Sequence, residues 1–264
     1  MTWTDRSINT GEDTPPAQPA LPEVPPDRPI QWLTQGMRDF LKAPLPGLIY
    51  GLIASGAGYL ILWGVRAEPF LILSFVAGFL LVGPLSALGI YESSRLLEQG
   101  QSVGFVATWR VWRENPVTIG LYIAFLSVVM IAWIRFTSLM LALLFDRLPA
   151  GLQTGWSPLF TSLEGLMFLG VFVVSGAAAA FLVFVTGVVT LCVVTDRRGD
   201  LIEGVTTSVG VVRRNPATMA IWAILLVGLT AVGLSTLMLG LVVILPVLGH
   251  ATWRAYRDLV QWPA

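Results

Sequence analysis

Charge, histidine and cysteine are what this sequence has least of, and each shortage removes a class of function. Only 12% of its 264 residues are charged, against 55% hydrophobic, whereas soluble domains carry about 25% charged residues. A soluble chain of this length needs a far more polar surface to cover its core, so the composition points to an integral membrane protein. One cysteine, Cys192, excludes an internal disulfide and any cysteine-rich zinc or iron–sulfur site. One histidine, His250, cannot by itself ligate several metals or haems. Sixteen Lys and Arg balance sixteen Asp and Glu, which leaves no positive excess for nucleic acid. A Gly-rich phosphate loop, HExxH and GxSxG are missing as well.

What the chain has is long apolar runs. A bilayer core about 30 Å thick takes roughly 20 apolar residues in a helix. Six runs qualify: 45–65, 69–91, 117–134, 165–194, 217–235 and 236–253. The stretch from Ala217 to Thr252 carries no charge; it is too long for one span and suits two, joined by a turn near Gly233, Leu234 and Ser235. Strict period-two alternation is lacking, which argues for helices over a barrel. After Arg135, FTSLMLALLF either extends the third helix or lies separately in the outer interface. The cost of an intramembrane Arg favours ending that span near Trp133 and Ile134, with Arg135 at the headgroups and 136–164 outside. Residues 1–29 contain seven prolines and no apolar stretch. They predict a disordered tail and no signal peptide.

Cations fall unevenly about these runs. Thirteen lie on one side, among them Arg38, Lys42, Arg110, Arg113, Arg213 and Arg214; three, Arg66, Arg135 and Arg147, lie on the other. Cytoplasmic loops collect Lys and Arg, so both termini are expected in the cytoplasm.

A phrase recurs. VWRENPVTIGLYIAFL at 111–126 and VVRRNPATMAIWAILL at 211–226 share six of sixteen residues. Asn115-Pro116 and Asn215-Pro216 read as helix starts, with Asn as N-cap and Pro in the first turn. Before each lies an amphipathic stretch, with Phe105, Trp109 and Trp112 in one and Val205, Val209 and Val212 in the other. WLTQGMRDFLKAP supplies a third copy, in which Trp32, Leu33, Met37, Phe40 and Leu41 form the stripe. Aromatic and apolar residues on one face with cations on the other describe a helix lying in the membrane interface. PLSALGIYESSR at 84–95 also aligns with PVLGHATWRAYR at 246–257. The expected architecture is therefore all-α: six transmembrane helices arranged as three tandem units of interfacial helix plus two-helix hairpin. The units cover about 30–97, 98–198 and 199–264, within one domain at 30–264. Small residues at Gly47, Gly51 and Ser55, and in SGAAAA at 175–180, predict close helix packing.

WLTQGMRDFLKAPLPGLIYG, GFLLVGPLSALGIYESSRLLEQG and LPVLGHATWRAYRDL together resemble a bacterial family of uncharacterised integral membrane proteins, domain of unknown function 2189, over roughly 30–260. The resemblance implies a multi-pass protein of the bacterial cytoplasmic membrane. Some relatives bear a putative cytochrome c oxidase label. A single histidine cannot supply the ligands of a haem–copper catalytic subunit, so only an accessory or assembly role survives that label.

Superposing the three units brings Glu92, Asp196 and Arg254 to related positions, with Leu88, Cys192 and His250 one turn deeper. About a pseudo-threefold axis the charged trio would converge at the cytoplasmic mouth and pair. His250 reads as a buried polar site bonded between helices, with proton relay or haem ligation as the rarer alternative. No catalytic residue, metal site or cofactor is expected, and an enzyme is disfavoured. The partners implied are the lipid bilayer, anionic headgroups beneath the basic interfacial helices, and other membrane proteins. The functional expectation is a non-enzymatic accessory, scaffold or assembly component of a respiratory or other membrane complex. The alternative is a small-solute or ion transporter with its path between the hairpins.

Overall fold

A computed structural model of the chain describes residues 18–64, 83–144 and 160–263. Every regular element among them is a helix. The first is α1, Arg28–Lys42, which is strongly amphipathic; α2, Pro44–Gly64, is apolar throughout. Next come the short α3, Gly83–Ser86, and α4, Leu88–Glu98. A second amphipathic segment follows, broken at Arg110 into α5, Phe105–Trp109, and α6, Val111–Glu114. It leads into α7, Pro116–Leu144. The helices α8, Leu163–Gly187, and α9, Thr190–Arg197, run nearly end to end across a break at 188–189. The third amphipathic helix, α10, Leu201–Arg214, precedes α11, Pro216–Ser235, and α12, Leu241–Leu259.

The helix starts follow the expected chemistry. Each long helix after an amphipathic one opens on Pro44, Pro116 or Pro216, where the missing N–H costs no hydrogen bond. Asn115 caps as predicted, its Oδ1 accepting from the Thr118 amide at 3.4 Å. Asn215 does not cap its helix. Its side chain is instead committed to the segment ahead of α1, described below.

Among the described residues four helical stretches are long and apolar enough to cross a membrane: Pro44–Gly64, Pro116–Leu143, Leu163–Arg197 (α8 and α9 together) and Pro216–Ser235. The expected run at 69–91 lies mostly outside the described residues. The expected end of the third span at Ile134 is corrected, because α7 continues through Arg135 to Leu144. No Pro or Gly interrupts Phe136–Leu144, so nothing local stops the helix. Arg135 lies nineteen rises beyond Pro116, about 28 Å along the axis, close to the thickness of a bilayer core.

Packing centres on α12. Gly36 of α1 sits on the backbone of Ala251, where an added Cβ would fall 2.5 Å from the Ala251 nitrogen. On the other side α2 brings Gly51 against Val242 and Gly47 against Pro246, so the predicted small-residue face does hold two backbones together. In the second run, Ser175 and Gly176 meet Trp133, while Ala177, Ala178 and Ala180 are exposed. The amphipathic stripes divide likewise. On α1, Trp32 and Phe40 are buried against the core, whereas Met37 and Leu41 face outward with Arg38 and Lys42.

The prediction of disorder over 1–29 fails for its last third. Residues 18–27 form an extended strap laid over α10, α11 and the chain's end. Ala20 pairs with Gln261 as an antiparallel bridge. Asn215 accepts from the Val24 amide at 2.8 Å and donates to the Pro22 carbonyl at 3.1 Å, and Thr218 donates to the Val24 carbonyl at 3.0 Å. Proline-rich chain is already extended and loses little entropy on docking. Residues 1–17 lie outside the described ones.

Candidate functional site

Three helix ends and one amphipathic helix meet where the sequence placed its charged trio. Each member is there, but the trio does not pair internally. Glu92, buried on α4, is held by Arg95 of the same helix through two bonds of 2.7 Å. Asp196 at the end of α9 receives two bonds from Arg257, at 2.8 and 2.9 Å, and one from the Tyr256 hydroxyl at 2.7 Å. Arg254 reaches Asp39 at 2.6 Å and Glu98 at 3.2 Å. Arg257 also donates to Glu98 at 2.9 Å.

The result is a chain of alternating charge, Asp39–Arg254–Glu98–Arg257–Asp196, that ties α1, α4, α9 and α12 together. Its physical logic is that α12 carries two arginines one turn apart and each neighbouring helix offers a carboxylate. Arg257 further stacks on the Trp253 and Tyr256 rings, and Trp262 donates to the Tyr256 hydroxyl at 2.9 Å. Burial alone would raise the Asp39 carboxyl. The hydrogen bonds and charges of Arg254 and Lys42 outweigh it and hold the carboxyl below its ordinary value. Burial pulls the other way on Arg254 and Arg257, but their carboxylate partners keep both guanidinium groups above the ordinary range.

Asp39 and Glu98 were missed by the sequence reading. A signal for Asp39 exists: counted back from Pro44, Pro116 and Pro216, it occupies the place of Val111 and Val211. All three are buried, so a carboxylate at that register demands a cation from elsewhere.

His250 is fully buried on α12, and its Nδ1 lies 2.6 Å from the Ser94 hydroxyl of α4. It therefore bonds between helices, to a side-chain hydroxyl. Its Nε2 has no protein partner. Cys192 is buried on α9. Among the described residues no three His, Cys, Asp or Glu side chains are grouped to hold a metal. Two open cavities, of about 490 and 370 Å³, flank the chain's last residues at this end and share Arg257 and Gln261.

Residues 71–196 match a family model described as DUF2189, predicted integral membrane protein. This region belongs to that family. The match is shorter than the 30–260 expected from the sequence; it takes in α7, α8 and the Asp196 end of the charge chain. No curated protein and no solved structure matches the chain. The chain is thus a predicted integral membrane protein with several apolar helices, and its regular elements among the described residues are all helical.

Proposed function

We propose that this DUF2189 protein is a non-enzymatic scaffold or accessory component of a complex in the bacterial inner membrane, with both termini cytoplasmic. The carrying observation is how the chain distributes its surfaces. Long apolar faces on α7, α8 and α11 stand open among the described helices: Val117, Val128, Val174, Phe181 and Ile224 are all more than 60% exposed. Among the described residues, the charged groups at the elbow end are paired with one another. Both open cavities are bounded by residues from the elbow end.

Three tandem units are part of this reading, and two regularities support them. The order amphipathic helix, proline, long apolar helix occurs three times. The sixth residue after each proline is a buried aromatic: Tyr50, Tyr122 and Trp222. Exposed Arg38, Lys42, Arg110, Arg113, Arg213 and Arg214, with Met37, Leu41, Val106 and Trp109 beside them, suit elbows resting on anionic headgroups.

Extraction from native membranes in mild detergent tests the reading. A discrete assembly with other membrane subunits, well above the 28.6 kDa of one chain, is the expected result. A monomer in every mild detergent would count against it. A transporter is the second reading, favoured by Pro246 inside α12 and by the buried His250 beside it. Solute flux in proteoliposomes that His250→Ala abolishes would establish that reading instead.

A further inference from the structure

Few bonds hold the strap at 18–27, and nearly all go to its backbone. Asn215 accepts from the Val24 amide and donates to the Pro22 carbonyl, and Thr218 donates to the Val24 carbonyl. Ala20 exchanges both backbone bonds with Gln261, at 2.8 and 2.9 Å. Bonds of this kind read the course of a chain and leave its side chains to pockets. The ion pair of Glu23 with Arg214 is exposed on both partners and contributes little. Beside these bonds lies the open cavity of about 370 Å³, lined by Pro22 and Pro25 of the strap and by Arg28, Gln31 and Asp258 of α1 and α12. The strap is therefore undercut along that length.

What the groove selects is two apolar side chains three residues apart. Leu21 and Val24 pack against the buried core, and Leu21 fits over Gly210 of α10, where an added Cβ would lie 2.6 Å from its Cδ1. That glycine is particular to the third elbow. Counted back from Pro44, Pro116 and Pro216, the same place is held by Arg38, Arg110 and Gly210. Where the other elbows present a cation, the third leaves a pit for a leucine. The strap carries proline at every third place, Pro19, Pro22 and Pro25, which is the period of a polyproline helix. With three residues to a turn, Leu21 and Val24 share one face. The elbow helix α1 has its own hold on α12, through Trp32 and Arg28 to Asp258, Asp39 to Arg254, and Gly36 on Ala251. Release of the strap leaves that hold intact.

We infer that α10, α11 and the chain's end form a receptor for extended, proline-punctuated chain with apolar residues three apart, and that the strap is its exchangeable resident. The partner that fits is a cytoplasmic segment of the same chemistry on another component of the complex. Prolines preset the extended shape and reduce the entropy lost on docking, so a short segment suffices. A second copy of this chain offers only the same segment without the tether, and loses to the tethered one. The inference rests on the scaffold reading above for the source of the segment, and on the groove alone for its binding.

A fluorescein-labelled peptide of residues 18–27, titrated by anisotropy into the full-length protein in detergent, tests it. In the wild type the tethered strap competes; Leu21→Ser/Val24→Ser disables that competitor and leaves the groove as it is. The peptide should bind the double variant at least ~10-fold more tightly than wild type, because apparent affinity falls with the fraction of grooves that are open. Adding Gly210→Arg to the double variant is expected to abolish that gain by filling the pit, since an added Cβ there meets only Leu21. Asn215→Ala serves in its place should the arginine disturb the fold. Equal binding to wild type and double variant, no binding to either, or binding indifferent to both groove substitutions overturns the inference. So does a wild-type dimer that Asn215→Ala returns to monomer, which assigns the groove to a second copy. None of these outcomes touches the scaffold reading, which stands or falls on the assembly found in mild detergent.

Discussion

Arg254 donates to carboxylates on two different helices, Asp39 on α1 and Glu98 on α4, and Asp39 is 3% exposed where its two register equivalents are valines. Removing the cation leaves that buried carboxylate with only Lys42, 62% exposed, beside it. Losing one partner of a buried pair costs about 3–5 kcal/mol. Because Arg254 is 26% exposed, Arg254→Met should fall near the lower end, about 3 kcal/mol by denaturant unfolding in detergent. The double variant Asp39→Asn/Arg254→Met should recover most of that loss; no recovery would show that Asp39 is not the stranded group. The pH dependence follows in sign. A carboxyl lowered on folding contributes stability that is complete above its ordinary value of 3.8 and is lost as pH falls through the lower folded value. The thermal midpoint of the native protein should therefore drop more steeply below pH 4 than that of Asp39→Asn. Of this cluster the sequence revealed Glu92, Asp196 and Arg254 as positions but not their pairing, since the partners of Arg254 lie 215 and 156 residues away.

Among the elements, close approach without a side chain separates two kinds of glycine on the same pair of helices. A Cβ at Gly36 would meet the Ala251 backbone at 2.5 Å, and one at Gly51 the Val242 carbonyl at 2.3 Å, whereas Gly56 on α2 has nothing within 4 Å. Overpacking costs about 1–3 kcal/mol, so Gly36→Ala and Gly51→Ala should each lower the thermal midpoint. Gly56→Ala should leave it unchanged or raise it, with up to about 1 kcal/mol of helix propensity gained. Equal effects at all three sites would refute the packing argument. The helix starts at Pro44, Pro116 and Pro216 were readable because proline acts locally. The end of α7 was not, because a single arginine forbids nothing about the helix beyond it.

For the molecule as a whole, the strap at 18–27 joins the first described segment to the last. Asn115 donates to the Arg198 and Gly199 carbonyls ahead of α10, just as Asn215 donates to Pro22 ahead of α1. The same residue thus clasps the linker before the next elbow, and at Asn215 that next elbow is the first one. Asn215→Ala removes the hydrogen bonds to Pro22 and Val24. It should expose residues 18–27 to proteolysis at least ~10-fold faster in native membranes, since local opening follows the lost contacts. Asn115→Ala should leave the strap protected, and equal cleavage in both would break the clasp argument.

The sequence by itself determined the solvent, the helical class, the elbows and the proline starts, because hydrophobic run length, amphipathic period and imino-acid geometry act within a few turns of chain. The tertiary structure alone decided which carboxylate meets which arginine and that the proline-rich strap is bound. Those outcomes depend on groups brought together from distant parts of the chain, and on whether buried charges and strap carbonyls find partners there. No local pattern encodes that.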